Sequence, residues 1–206
     1  EYDATGRQIG EALMRAARRG VTVHLLLDGF GARTLPETVV DEMRAAGMQV
    51  IFYRPDVTLR FKRHRLRRLH RKIAVIDTRI AFVGGIKIVD DIDAAHPAPP
   101  RFDYAVRVEG PLLVPIHATV RRLWTLVAWA GFRRRLRLPT TSPVTAEPRG
   151  SMRAAFVIRD TLRHRRDIEE AYLEAIGKAQ TEIVLANAYF LPGRRFREVL
   201  LAAAAR

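Results

Sequence analysis

The chain has 206 residues, 48% of them apolar, which suffices for a hydrophobic core in one domain or one and a part. It has no cysteine, which excludes a disulfide framework and a thiolate metal site. Its 36 Lys and Arg against 22 Asp and Glu give a net charge of +14, and that excess points to an anionic partner, phosphate first.

In chain order, Gln8 to Arg19 places Ile9, Ala12, Leu13, Ala16 and Ala17 at helical spacing, with Gly20 as a stop. Val21 to Leu27 reads as a buried strand, and Asp28-Gly29 forms the loop at its C-terminal end, where α/β sheets place ligands. A helix is predicted from Glu37 to Ala46 and a strand from Gln49 to Tyr53. Ile73 to Ile76 and Ile80 to Val83 are short strands joined by Asp77-Thr78-Arg79. Tyr104 to Val108 is another strand, and Leu113 to Ala130 a helix. The apolar stretch Leu112 to Gly131 is broken by Arg121 and Arg122 and does not read as a membrane span. The class is α/β with a mixed sheet flanked by helices.

Prolines and a Thr-Thr-Ser cluster make residues 139–150 a linker between a first domain, 1–138, and a second unit, 151–206. The second unit offers strands at Ala154 to Ile158 and Glu182 to Asn187, and helices from Arg166 to Ala179 and from Arg194. Gly6-Arg7, Leu13, Ala16, Ala17 and Arg19 recur in register as Gly193-Arg194, Leu200, Ala203, Ala204 and Arg206. The repeat implies that the second unit opens a domain similar to the first. The chain begins without methionine and stops inside a helical pattern, so both ends are expected to continue into a longer protein.

The chemistry sits in His70-Arg71-Lys72, followed by Asp77 and Gly84-Gly85. On an extended segment His70 and Lys72 face the same way, because strand side chains alternate. One phosphate could meet both. A neutral imidazole can attack phosphorus, an ammonium can neutralise the non-bridging oxygens, and paired glycines permit close backbone approach to a substrate. This chemistry calls for no metal or cofactor. An attacking imidazole does need a partner, usually a carboxylate, on its other nitrogen.

The stretch from Leu69 to Asp77, with Ala81-Phe82-Val83-Gly84-Gly85, resembles the HKD motif of the phospholipase D superfamily. Ala16 to Val21, Leu25 to Gly29, Arg107 to Pro111 and Ala186 to Gly193 are similar to the bacterial cardiolipin synthase branch. The resemblance implies two HKD domains that share one site, one histidine as nucleophile and the other as general acid. It gives His70, Lys72 and Asp77 as the catalytic set, with Asp77 supporting the geometry. Asp103 stands where the family has the carboxylate that orients the histidine. Lys72, Lys87, Gly84 and Gly85 are the phosphate-binding candidates. Two departures stand out: Lys87 replaces the usual asparagine, and Arg101 stands where an aromatic residue is common.

The implied function is phosphatidyl transfer from phosphatidylglycerol through a phosphohistidine, by a peripheral enzyme on the cytoplasmic face of the bacterial membrane. Its partners would be anionic phospholipids, the membrane surface, and a second HKD domain from the same protein or from a dimer partner. Without that second domain the 206-residue chain is expected to be inactive. The alternatives are a phospholipase D or nuclease-type phosphodiesterase, with nucleic acid the weaker candidate partner, and a non-catalytic module that binds anionic lipid. The run from Arg60 to Lys72 holds eight Lys and Arg, and suits either a solvated loop or contact with phosphates. Trp124 and Trp129 suit a core, or with Phe132 to Arg137 a membrane interface. Asp28 and His24 read as structural, and His64, His96 and His164 as solvated.

Overall fold

The structure is a computed structural model that describes residues 2–53, 69–90, 103–131, 144, 147–160, 164–187 and 189–206. Most of the basic run, the cluster from Phe132 to Arg137, His64, His96, Arg101 and most of the linker lie outside these residues. The described residues divide into two compact units, Glu1–Met152 and Arg153–Arg206.

In the first unit, helix α1 (Ala4–Arg18) starts earlier than its apolar pattern indicates. Asp3 caps it: the carboxylate accepts the Gly6 N–H at 2.8 Å, satisfying one of the backbone donors a helix start leaves over. Strand β1 (His24–Asp28) follows, then helix α2 (Glu37–Ala45) and strand β2 (Gln49–Tyr53). Strand β1 begins later than predicted, since its ladder with β2 opens at His24↔Gln49 and Val21 is exposed.

The two strands pair in parallel, and period-two alternation gives each face its own cover. Leu25, Leu27, Val50 and Phe52 pack into a core with Leu13, Met14, Val39, Val40 and Met43 of the two helices. On the other face, His24 accepts the long helix α3 (Leu113–Ala130), meeting the Trp124 ring edge-on at 4.7 Å. His24 also hydrogen-bonds Gln49 at 3.2 Å, which agrees with a structural role.

Strands β3 (Lys72–Ile76), β4 (Ile80–Gly84) and β5 (Ala105–Val108) form an antiparallel sheet in the order β3-β4-β5. Parallel and antiparallel pairing are both present, in separate ladders among the described residues. Helix α3 packs against both β2 and β4 and so joins the ladders. Its residues Leu113, Ile116 and Trp124 and the strand residue Ala81 are all almost wholly buried.

The second unit holds helices α4 (Asp167–Lys178) and α5 (Arg194–Ala204). Leu173 and Ile176 are buried, and Phe196 packs near Tyr172 and Phe190. Arg206 donates to the carbonyls of Ile176 and Ala179, at 3.3 and 3.1 Å, at the C-terminal end of α4. Both copies of the sequence repeat are therefore helical, one in α1 and one in α5. The strands predicted at Ala154 to Ile158 and Glu182 to Asn187 do not form. A strand is held by ladder bonds to a neighbour, and neither run is paired among the described residues, with Val184 left 76% exposed. His164 is also not simply solvated: its ring pairs with the Asp167 carboxylate at 2.5 Å, and its N–H donates to Asp160 at 2.9 Å.

The two tryptophans of α3 divide between core and surface, at 2% and 75% exposure. Trp124→Ala should cost about 3–5 kcal/mol, read as a shift of the urea midpoint, through lost burial and the cavity left behind. Trp129→Ala should stay within about 0.5 kcal/mol of the parent.

Candidate active site

Strands β3 and β5 both run antiparallel to β4 and hence parallel to each other. The start of β3, the end of β4 and the start of β5 therefore meet at one end of the sheet. Lys72, Gly84 and Ala105 form one row across it, and His70, Gly85 and Asp103 lie just beyond. Alternation puts Lys72 on the face that also carries Ala74, Ile76 and Phe82, and an extended backbone would give His70, two residues before the ladder opens, the same side. This face is the solvent side, since Ala74, Ile76 and Phe82 are exposed while Ala81, which points the other way, is buried. His70 is exposed, and Lys72 Nζ donates to the His70 carbonyl at 3.1 Å.

The paired glycines are needed by the chain itself. A Cβ on Gly84 would stand 2.2 Å from the Tyr104 carbonyl oxygen and 2.4 Å from Ala105 Cα. A Cβ on Gly85 would stand 3.1 Å from an Asp103 carboxylate oxygen, and the Gly85 N–H already donates to the Tyr104 carbonyl at 2.8 Å. The close approach read from the sequence as made to a substrate is made to β5. Its effect is to bring Asp103 against Gly85 at the His70 end.

Asp77 is not at that end. It lies past the far end of β3, five residues beyond Lys72, a separation of about 17 Å at strand rise. There it opens a tight turn in which Asp77 and Thr78 have φ of 51° and 52°, closed by the Arg79 N–H on the Ile76 carbonyl at 3.0 Å. Asp is one of the few non-glycine residues that tolerates this backbone, and Asp77 stands in the turn that joins β3 to β4.

Lys87 is exposed and follows the glycines on a segment that Asp90 ties to α1. The Asp90 carboxylate accepts the N–H groups of Ala4 and Thr5, at 3.1 and 2.8 Å, while its own N–H donates to Asp3 at 2.8 Å. Hydrogen bonds from the Thr5 side chain and then its backbone hold the Asp90 carboxyl below its ordinary 3.8. The start of β3 has a similar tether, because Asp28 accepts the N–H of Leu69 at 3.0 Å. Neither tether was legible in the sequence, where the bonded residues stand 85 to 87 and 41 positions apart. Among the described residues no group of three or more His, Asp or Glu could hold a metal ion.

The family description "Cardiolipin synthase, PLD-like domain" matches residues 2–88, which contain His70, Lys72, the paired glycines and the Asp28–Leu69 tether. Over residues 2–88 the chain matches the phospholipase D superfamily, in its cardiolipin synthase branch. It is 40% identical over 205 residues to cardiolipin synthase B of Shigella flexneri and to that of Escherichia coli K12, in each case over 99% of this chain and 49% of the relative. Cardiolipin synthase 1 of Bacillus anthracis is 27% identical over 198 residues, 92% of this chain and 38% of that protein. The chain thus spans about half the length of the cardiolipin synthase B relatives it matches.

One histidine missed in the sequence is buried in this unit: His117 of α3, 8% exposed. Burial, and then the charge of Arg121, push its pKa below the ordinary 6.5. A lowered histidine pKa means that the unfolded chain binds more protons, so this stability is present above pH 6.5 and lost as pH falls through the folded pKa. His117→Leu should flatten the decline in urea-unfolding free energy below pH 6.5, and an unchanged slope would contradict that assignment. Gly84→Ala should destabilise by about 1–3 kcal/mol or more, since backbone must move, whereas Gly85→Ala meets only a side-chain carboxylate that can turn aside. Urea midpoints of the two variants test the contrast.

Proposed function

We propose that the protein carrying this chain is a phosphatidyltransferase of the cardiolipin synthase type, with His70 and Lys72 as one half of its site. The observation that carries this reading is their common placement on the open face of the sheet, at the end where Asp103 sits beside Gly85. Two strand spacings separate β3 from β5, about 9.5 Å, and no side chain on Gly84 or Gly85 intervenes between the imidazole and the carboxylate that would orient it.

In the proposed reaction a His70 ring nitrogen attacks the phosphorus of phosphatidylglycerol. The P–N bond forms as the P–O bond to glycerol breaks, and the leaving alkoxide takes a proton from a general acid. Lys72 and Lys87 offset the charge on the non-bridging oxygens. The hydroxyl of a second phospholipid then attacks phosphorus, gives its proton to the same acid–base group and releases the imidazole. A second histidine, from the second HKD domain or from a dimer partner, supplies that group, so the 206-residue chain alone is inactive on this reading.

A net charge of +14 and the exposed Leu126 and Trp129 of α3 support work at an anionic membrane surface, on its cytoplasmic face. Among the described residues no helix is long and apolar enough to cross a membrane.

Trapping of acid-labile phosphohistidine with phosphate-labelled phosphatidylglycerol tests the reading on the full-length protein. Label should appear on the wild type and vanish in His70→Ala, with cardiolipin as product. Phosphatidic acid alone would make water the acceptor and end the transferase reading, and label retained by the variant would move the nucleophile to the other histidine.

A further inference from the structure

We propose that Asp28 is a positioning residue for His70, acting through the backbone of Leu69. The inference rests on the reading of His70 as a reacting group and adds a part to that site which the HKD pattern does not contain.

The ladder of β3 opens at Lys72↔Gly84, so it does not fix the backbone that carries His70, two residues earlier. The Asp28 carboxylate does reach that backbone, accepting the Leu69 N–H through Oδ1 at 3.0 Å. Its other oxygen accepts the Gly31 N–H at 3.0 Å, and its own carbonyl accepts the Ala32 N–H at 2.9 Å. The next residue is fastened as well, with the Gly29 N–H on the Tyr53 carbonyl at 2.9 Å. Both carboxylate oxygens are thus held against a stiff loop at the C-terminal end of the parallel pair β1–β2.

The arrangement has a chemical purpose. Attack on phosphorus needs the imidazole close to its target and in line with the leaving oxygen, and an error of about 1 Å in such a placement can cost about 100-fold in rate. Leu69 N lies one peptide from His70. A charged acceptor there makes a stronger bond than a neutral one and converts the rigidity of the buried β1–β2 core into rigidity at the reacting ring. The same carboxylate holds Gly31, so the loop that carries exposed Phe30, with Arg33 stacked over its ring at 5.5 Å, is fixed in one frame with the histidine.

The test uses full-length protein with Asp28→Ala, which removes both acceptors, and Asp28→Asn, which keeps one carbonyl oxygen. Two readouts are taken on the same preparations at a temperature where each remains folded: turnover of phosphatidylglycerol, and hydrogen exchange at the Leu69 amide. Asp28→Ala should lower kcat by about 10- to 100-fold with KM within about 2-fold, and should speed Leu69 exchange, with Asp28→Asn between it and the wild type. A normal kcat in Asp28→Ala, or a rise in KM alone, would overturn the proposal, as would Leu69 exchange that does not change. If the wild type turned over no phospholipid, the functional reading would fail by itself. Faster Leu69 exchange in Asp28→Ala would then still support the tether, and unchanged exchange would overturn it.

Discussion

The first unit contains two ladders that share no strand, and what makes them one body is the burial of α3 against β2 and β4. Each almost fully buried side chain of this helix, Leu113, Ile116 and Trp124, removes apolar surface from water and contributes roughly 1.5–3 kcal/mol relative to an exposed position. Because the helix occupies one face of each ladder, the opposite face of β3-β4-β5 is the one left for solvent. The open face looks outward because the packing faces inward.

Around that packed layer, a few carboxylates fasten pieces of chain that no ladder reaches. Asp3 accepts from Gly6 and Asp90, Asp90 accepts from Ala4 and Thr5, and Asp28 reaches across to Leu69. Each bond joins a charged acceptor to a backbone N–H, and three of those N–H groups, of Ala4, Thr5 and Gly6, stand at a helix start where the dipole favours negative charge. The motif segment from Leu69 to Asp90 is held at both of its ends. Gly84 and Gly85 do the rest by letting β5 and Asp103 come close.

Much of this was legible in the sequence, for physical reasons. Among the described residues, helical spacing marked the five helices and short β-rich runs the five paired strands, because both record which residues are buried. Strand alternation put His70 and Lys72 on one face. The runs at Ala154 to Ile158 and Glu182 to Asn187 formed no strand, since such a run suits a sheet but cannot supply a neighbour. The sequence placed Asp77 between the two strands, but it could not show that the close approach at Gly84 is to Tyr104 and Ala105. The carboxylate tethers and buried His117 were missed because they depend on contacts between residues far apart in the chain.

The turn at Asp77 and Thr78 has a consequence for His70 and Lys72 although it lies at the other end of β3. With two left-handed residues it allows only one number of residues between Ile76 and Ile80, and so sets which residue of β3 lies opposite which residue of β4. A shift of one position would send every side chain of β3 to the other face, carrying His70 and Lys72 toward the side covered by α3. The aspartate of the motif thus counts residues for the histidine: it keeps the pairing in phase, and a chain one residue longer or shorter there would turn the same side chains the wrong way.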